Sequence, residues 1–250
     1  MIYFIGAGPG DPDLITVKGK RCLETADIII YAGSLVNEAL LKVAKPQCEI
    51  HNSAGMTLEE ILEVMTNGEA AGKTIARVHT GDPSLFGALR EQLDALDRRQ
   101  ISYEIVPGVS SFLATAAALK KEYTLPGVTQ TVILTRMEGR TKVPAAETIE
   151  ALAEHRATMI VFLSGGIIHE LVAKLRSGYP ENTPVAVVYK ASWPEQRIVR
   201  GTLQDIAAKV QKAGIQKTAL VAVGGFLGDE YELSRLYDRT FAHEFRDARQ

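Results

Sequence analysis

Short apolar runs rich in isoleucine and valine recur along this chain, separated by longer segments of helical period, and several of them end in glycine-containing loops. That alternation is how a mostly parallel α/β sheet is written. Strands buried on both faces need apolar residues at consecutive positions, and parallel neighbours need a long crossover between them. The spacing predicts strands at Ile2 to Gly6, Asp27 to Tyr31, Cys48 to His51, Thr74 to His79 and Ser102 to Val106. Helices are expected between them, near residues 13–25, 34–44, 57–71 and 84–99. Thr57 followed by Glu60 fits a capping box, in which hydroxyl and carboxylate satisfy the free amides at a helix start.

A small-residue helix from Ser110 to Leu119 is followed by KKEYTLPG, which interrupts both periodicities and suggests a boundary between domains of residues 1–122 and 123–250. In the second part, strands are expected at Thr131 to Thr135, Thr158 to Leu163, Pro184 to Tyr189, Arg197 to Gly201 and Thr218 to Val223. Helices fall near 147–154, 166–176 and 203–213. Only ASWPEQ separates two of these strands, too few residues for a helical crossover, so they should pair antiparallel and make this second sheet mixed.

Composition narrows the function classes. With 46% hydrophobic and 23% charged residues over 250 positions, the chain can build sizeable cores and is not disordered. No apolar stretch approaches the roughly 18 residues of a membrane-spanning helix, and the opening lacks the basic start of a signal peptide. A cytoplasmic location is therefore expected. A net charge of -2 offers no bulk attraction to nucleic acid or anionic membrane. The two cysteines, Cys22 and Cys48, and the five histidines fall in no metal-ligand spacing, so no metal is expected.

Three loops at expected strand ends carry the functional signal, because parallel sheets gather their ligand sites at that edge. The first is GAGPGDPDL, Gly6 to Leu14, where glycines allow close backbone approach. Its spacing differs from the dinucleotide fingerprint, and the second strand ends in YAGS where the ribose-binding acid belongs. The second loop is HTGDPSLFG, His79 to Gly87. The third, VPGVSSF, resembles a nucleophile elbow but has Phe112 where that motif needs glycine, which argues against a serine hydrolase. Asp82 and Ser110 could each serve only as helix caps. Met56, Phe86 and Phe112 read as core residues.

GAGPGDPDLIT, GDPSLFG and PGVSS, in this order and at these separations, resemble the tetrapyrrole methylases, which move a methyl group from S-adenosylmethionine (SAM) to a corrin or porphyrin precursor. YAGSLV at 31–36, NSAGMTLEEI at 52–61 and TRMEGRTKVP at 135–144 are similar to the branch that methylates precorrin-4, or its cobalt complex, at C(11) in cobalamin (vitamin B12) biosynthesis. Uroporphyrinogen III methylase and other precorrin methyltransferases usually carry an acid where this chain has Ala32. A non-catalytic nucleotide-binding module and a nicotinamide oxidoreductase remain as alternatives.

The resemblance implies two α/β domains with SAM in a cleft between them, and a cytoplasmic homodimer with a small polycarboxylate tetrapyrrole as partner. Carried over by position, it places SAM contacts at Gly8, Pro9 and Gly10, at Thr80, Gly81, Asp82 and Leu85, and at Ser110 and Ser111. From the second half come Leu163, Ala191, Thr218, Ala219 and Leu220. The family often has Met where Leu163 stands and Gly where Ala191 stands. Recognition of the substrate's carboxylates should rest on cations, for which Arg136, Arg140, Lys142 and Lys120 are candidates. Tyr31, Asp82 and Glu138 are candidates for the base that removes a ring proton.

Overall fold

The computed structural model describes residues 1–139, 141–163 and 167–247. The chain divides into two compact units. One comprises Met1–Thr115 with Lys190–Gln196, the other Ala116–Tyr189 with Arg197–Gln250.

The first unit is built on strands β1 (Ile2–Gly6), β2 (Ile28–Tyr31), β3 (Glu49–Asn52), β4 (Ile75–His79) and β5 (Tyr103–Val106), in the order β3-β2-β4-β1-β5. Every pairing is parallel. Helices α1 (Val17–Thr25), α2 (Leu58–Ala70) and α3 (Arg90–Asp97) make crossovers. Alternation along each strand divides the core into two layers. Ile5, Ile29, Tyr31 and Val78 pack with Leu23 of α1 on one face. Ile2, Phe4, Ile28, Ile30 and Ile75 pack with Met65 and Leu96 of α2 and α3 on the other. The capping box of α2 forms as expected: Thr57 Oγ1 accepts from the Glu60 amide at 3.3 Å and Glu60 Oε2 from the Thr57 amide at 2.7 Å.

Two helices differ from expectation. In place of a helix at 34–44 there are two short 3-10 turns, Gly33–Leu35 and Glu38–Val43. Asn37 separates them with an extended backbone, its side chain accepting from the Ala39 amide. The helix expected from residue 84 begins only at Arg90, because Phe86 and Ala88 hold positive φ angles of 55° and 46° that no right-handed helix admits. Phe86, read as core, is consequently 54% exposed.

The second unit holds β6 (Val132–Arg136), β7 (Thr158–Leu163), β8 (Pro184–Tyr189), β9 (Arg197–Thr202) and β10 (Ala219–Val223), in the order β6-β7-β10-β8-β9. Only β6 and β7 are parallel, and β8 and β9 pair antiparallel as their short connection requires. Met159, Val161, Val185, Val187, Val221 and Val223 pack with Leu171 and Leu175 of α4 (Ile168–Leu175) and Ile206 and Val210 of α5 (Ile206–Lys212). The division between units falls within the helix Ser111–Leu119.

Candidate functional site

In the first sheet the chain leaves β1 toward β2 on one side and leaves β4 toward β5 on the other. The loops after β1 and β4 therefore mark the topological switch point at the carboxyl edge, the usual ligand position in such sheets. The glycine-rich loop and the GDP loop meet at this point. Gly8 and Gly81 exchange two backbone hydrogen bonds, at 3.2 and 2.9 Å, while the Ala7 amide donates to the His79 carbonyl. The third loop joins them through Asp82, whose Oδ2 accepts from the Gly108 amide at 2.7 Å. Its Oδ1 accepts from the Ser84 amide and hydroxyl.

The first unit thus brings together Gly8, Pro9, Gly10, Thr80, Gly81, Asp82, Ser110, Ser111 and Ala191. Leu85 is half-buried on the GDP loop. Thr80 is exposed at the end of a fully buried strand. Gly81 is buried with φ 61°, and a Cβ there would come into ordinary contact with Ser110 Cα at 3.5 Å, so the GDP loop packs directly on the third loop. Ser110 and Ala191 are 5% and 4% exposed. In the second unit, Leu163 pairs in register with Ala219 at one end of the sheet; Ala219 and Leu220 are buried, and Thr218 precedes them with φ 56°.

The proton-transfer candidates divide on their environments. Burial opposes ionisation of Asp82, but the Ser84 hydroxyl and the Gly108 and Ser84 amides outweigh it and hold the carboxyl below its usual range. With its oxygens occupied by loop donors, Asp82 is set up as a brace rather than a base. Tyr31 is 7% exposed and donates to Glu38 at 3.2 Å; burial first, then the Glu38 charge, raises its pKa. Glu138 is exposed and lies 3.8 Å from Lys174.

Among the cations, Arg136 is committed to its own loop, donating to the carbonyls of Met137, Thr141 and Lys142. Lys142 and Lys120 are exposed. Arg140 lies outside the described residues.

Sequence reasoning passed over two buried groups on β4. Arg77, 5% exposed, donates to Gln92 Oε1 at 3.1 Å, the Ile30 carbonyl at 3.3 Å and Ser53 Oγ at 3.0 Å. Ser53 in turn donates to the Tyr31 carbonyl, so one guanidinium fixes the YAGS and NSAG loops together. Desolvation lowers its pKa to about 10. His79, 3% exposed, is brought down to about 3 by burial and then by Arg77, and stays neutral. Charged letters within an otherwise apolar strand were the available signal.

Residues 1–207 match the family model for Tetrapyrrole (Corrin/Porphyrin) Methylases. The chain belongs to this family. Among relatives of the tetrapyrrole methylase family, a cobalt-precorrin-4 C(11)-methyltransferase of Methanocaldococcus jannaschii is 56% identical over 247 residues, covering 98% of this chain and 95% of the relative. The solved structure of a cobalt precorrin-4 methyltransferase, a cobalamin biosynthetic enzyme, superposes with a TM-score of 0.89 at 48% identity, covering 91% of this chain and 96% of that one. A uroporphyrin-III C-methyltransferase from Thermus thermophilus, complexed with S-adenosyl homocysteine, gives 0.76 at 30% identity, with 90% and 98% covered. As a tetrapyrrole methylase, the chain has the two five-stranded sheets that its sequence implied. No described helix is long and apolar enough to cross a membrane, and no described cluster of side chains could hold a metal.

Proposed function

We propose that this protein transfers the methyl group of SAM to C(11) of precorrin-4, or of its cobalt complex, in cobalamin biosynthesis. The observation that carries the reading is the meeting of three small-residue loops at the carboxyl edge of the first sheet, on a chain 56% identical to a C(11)-methyltransferase. In the reaction an electron pair of the ring carbon forms the new C–C bond, the C–S bond breaks with its pair returning to sulfur, and the macrocycle loses a proton. SAM supplies the electrophilic methyl. The loops supply position: holding sulfur, methyl and carbon in line is worth up to ~7–11 kcal/mol in well-oriented systems. No covalent intermediate on the protein is needed, which agrees with the lack of a nucleophile motif.

In this reading the first unit's contacts to SAM are Gly8, Pro9 and Gly10, Thr80 to Asp82 with Leu85, Ser110 and Ser111, and Ala191. The protein works as a cytoplasmic homodimer on a small polycarboxylate, with neither nucleic acid nor membrane as partner. Incubation with methyl-labelled SAM and each form of precorrin-4, followed by NMR of the product, tests the reading; label at any carbon other than C(11) overturns it. Calorimetry should show S-adenosylhomocysteine binding and no heat with NAD, since the ribose acid is missing. NAD binding without S-adenosylhomocysteine binding would instead mark an oxidoreductase.

Lys142, exposed beside the family motif, is a substrate-carboxylate ligand in this reading. Lys142→Ala should raise the Michaelis constant for the tetrapyrrole about two- to fivefold, the worth of one exposed ion pair, and weaken its salt dependence. SAM affinity should not change. Equal constants at two ionic strengths return Lys142 to the solvated surface.

A further inference from the structure

The connection between β8 and β9 runs from Lys190 to Gln196, where two residues would suffice for a hairpin turn. These seven residues pack as part of the first unit. Their backbone is strained at two non-glycine positions, Lys190 with φ 47° and Ser192 with φ 71°, a conformation that persists only where the surroundings impose it. What imposes it is the glycine-rich loop. The Trp193 indole N–H donates to the Pro9 carbonyl at 2.9 Å, and Ser192 Oγ accepts from the Asp11 amide at 3.0 Å. A Cβ at Gly10 would lie 1.9 Å from Trp193 Nε1, so Gly10 is glycine because the indole lies on its Cα. Lys190 Nζ sits over the indole, 4.7 Å from the ring centroid, and 3.4 Å from Glu195.

We propose that Trp193 is a positioning residue for the cofactor site: it locks the loop around Pro9 in its binding conformation before SAM arrives. The inference rests on the reading of Pro9 and Ala191 as SAM contacts. Ala191 lies in the same connection, two residues before the indole, so the contact that fixes Pro9 also fixes Ala191. Preorganisation of this kind appears in affinity for the cofactor, because a loop held in one conformation loses no further freedom on binding.

Two variants approach the contact from opposite sides. Trp193→Phe keeps a ring over Gly10 and removes the donor; Kd for S-adenosylhomocysteine should rise about three- to tenfold, and KM for SAM should rise more than kcat falls. Gly10→Ala leaves the indole present but displaces it. Because the chain contains a single tryptophan, its emission should shift to the red, with a comparable loss of affinity. Wild-type affinity in Trp193→Phe, or a red-shifted Gly10→Ala that binds normally, overturns the proposal. Wild-type protein that binds no S-adenosylhomocysteine overturns the cofactor reading itself and the proposal with it, so the two failures are told apart by the unmodified chain.

Discussion

Gly108→Ala is expected to be the most damaging single methyl group in the first unit. A Cβ there would stand 2.1 Å from the Gly81 carbonyl oxygen and 2.6 Å from Gly6 Cα, both backbone atoms that no side-chain rotation can clear. Relief requires the third loop to move away, which breaks the Asp82 contact to the Gly108 amide, or the GDP loop to move, which breaks the Gly8–Gly81 pair. Overpacking of a rigid site costs typically 1–3 kcal/mol, and the upper end applies where only backbone can yield. About 3 kcal/mol corresponds to a Tm lower by roughly 6–12 °C in a chain of this size. Methyl transfer should fall by about a hundredfold or more, since displacement of a positioning loop by 1 Å has that effect. Gly55→Ala is the control, with nothing within 4 Å of its Cβ. Thermal unfolding and initial rates of the two variants decide the matter; similar behaviour would mean that the three loops are not packed as described.

Asp82→Asn should have the second largest effect, and its pH dependence separates a brace from a base. The carboxylate receives three donors from two loops, and an amide can accept at one oxygen only, so one donor loses its partner at a cost of about 1–3 kcal/mol. The folded carboxyl is held below the value of an unfolded aspartate, roughly 3.9. The stability it contributes is therefore fully present above that value and is lost as pH falls through the lower, folded one. Wild type should exceed Asp82→Asn in urea midpoint at neutral pH, and the gap should close in acid. Activity should fall about tenfold or more, with the residual rate keeping the wild-type pH profile. Loss of the acidic limb from that profile in Asp82→Asn would restore Asp82 as a proton acceptor.

The sequence by itself determined much of this protein. All ten strands stand within a residue or two of their expected positions, most plainly where a strand buried on both faces leaves an unbroken apolar signature, as in Ile28–Tyr31 and Ala219–Val223. The antiparallel pairing of β8 with β9 followed from chain length alone. The glycine loops announced a site, and their motifs announced the family.

Tertiary structure decided how those loops are held. The glycines of the first loop read as openings for a ligand, yet Gly10 makes room for an indole from a segment over 180 positions away, and Gly8 is occupied by its pairing with Gly81. Asp82 read as a cap, a SAM contact or a base; the fold adds a 2.7 Å hydrogen bond to an amide 26 residues on, which ties two loops together. Arg77 and His79 gave no motif, since their roles depend on Gln92, Ile30 and Ser53 converging from other elements. The physical reason is common to all of these. Periodicity records the burial that each residue experiences locally, whereas close backbone approach and buried hydrogen-bond partners are set by which distant segments the fold brings together.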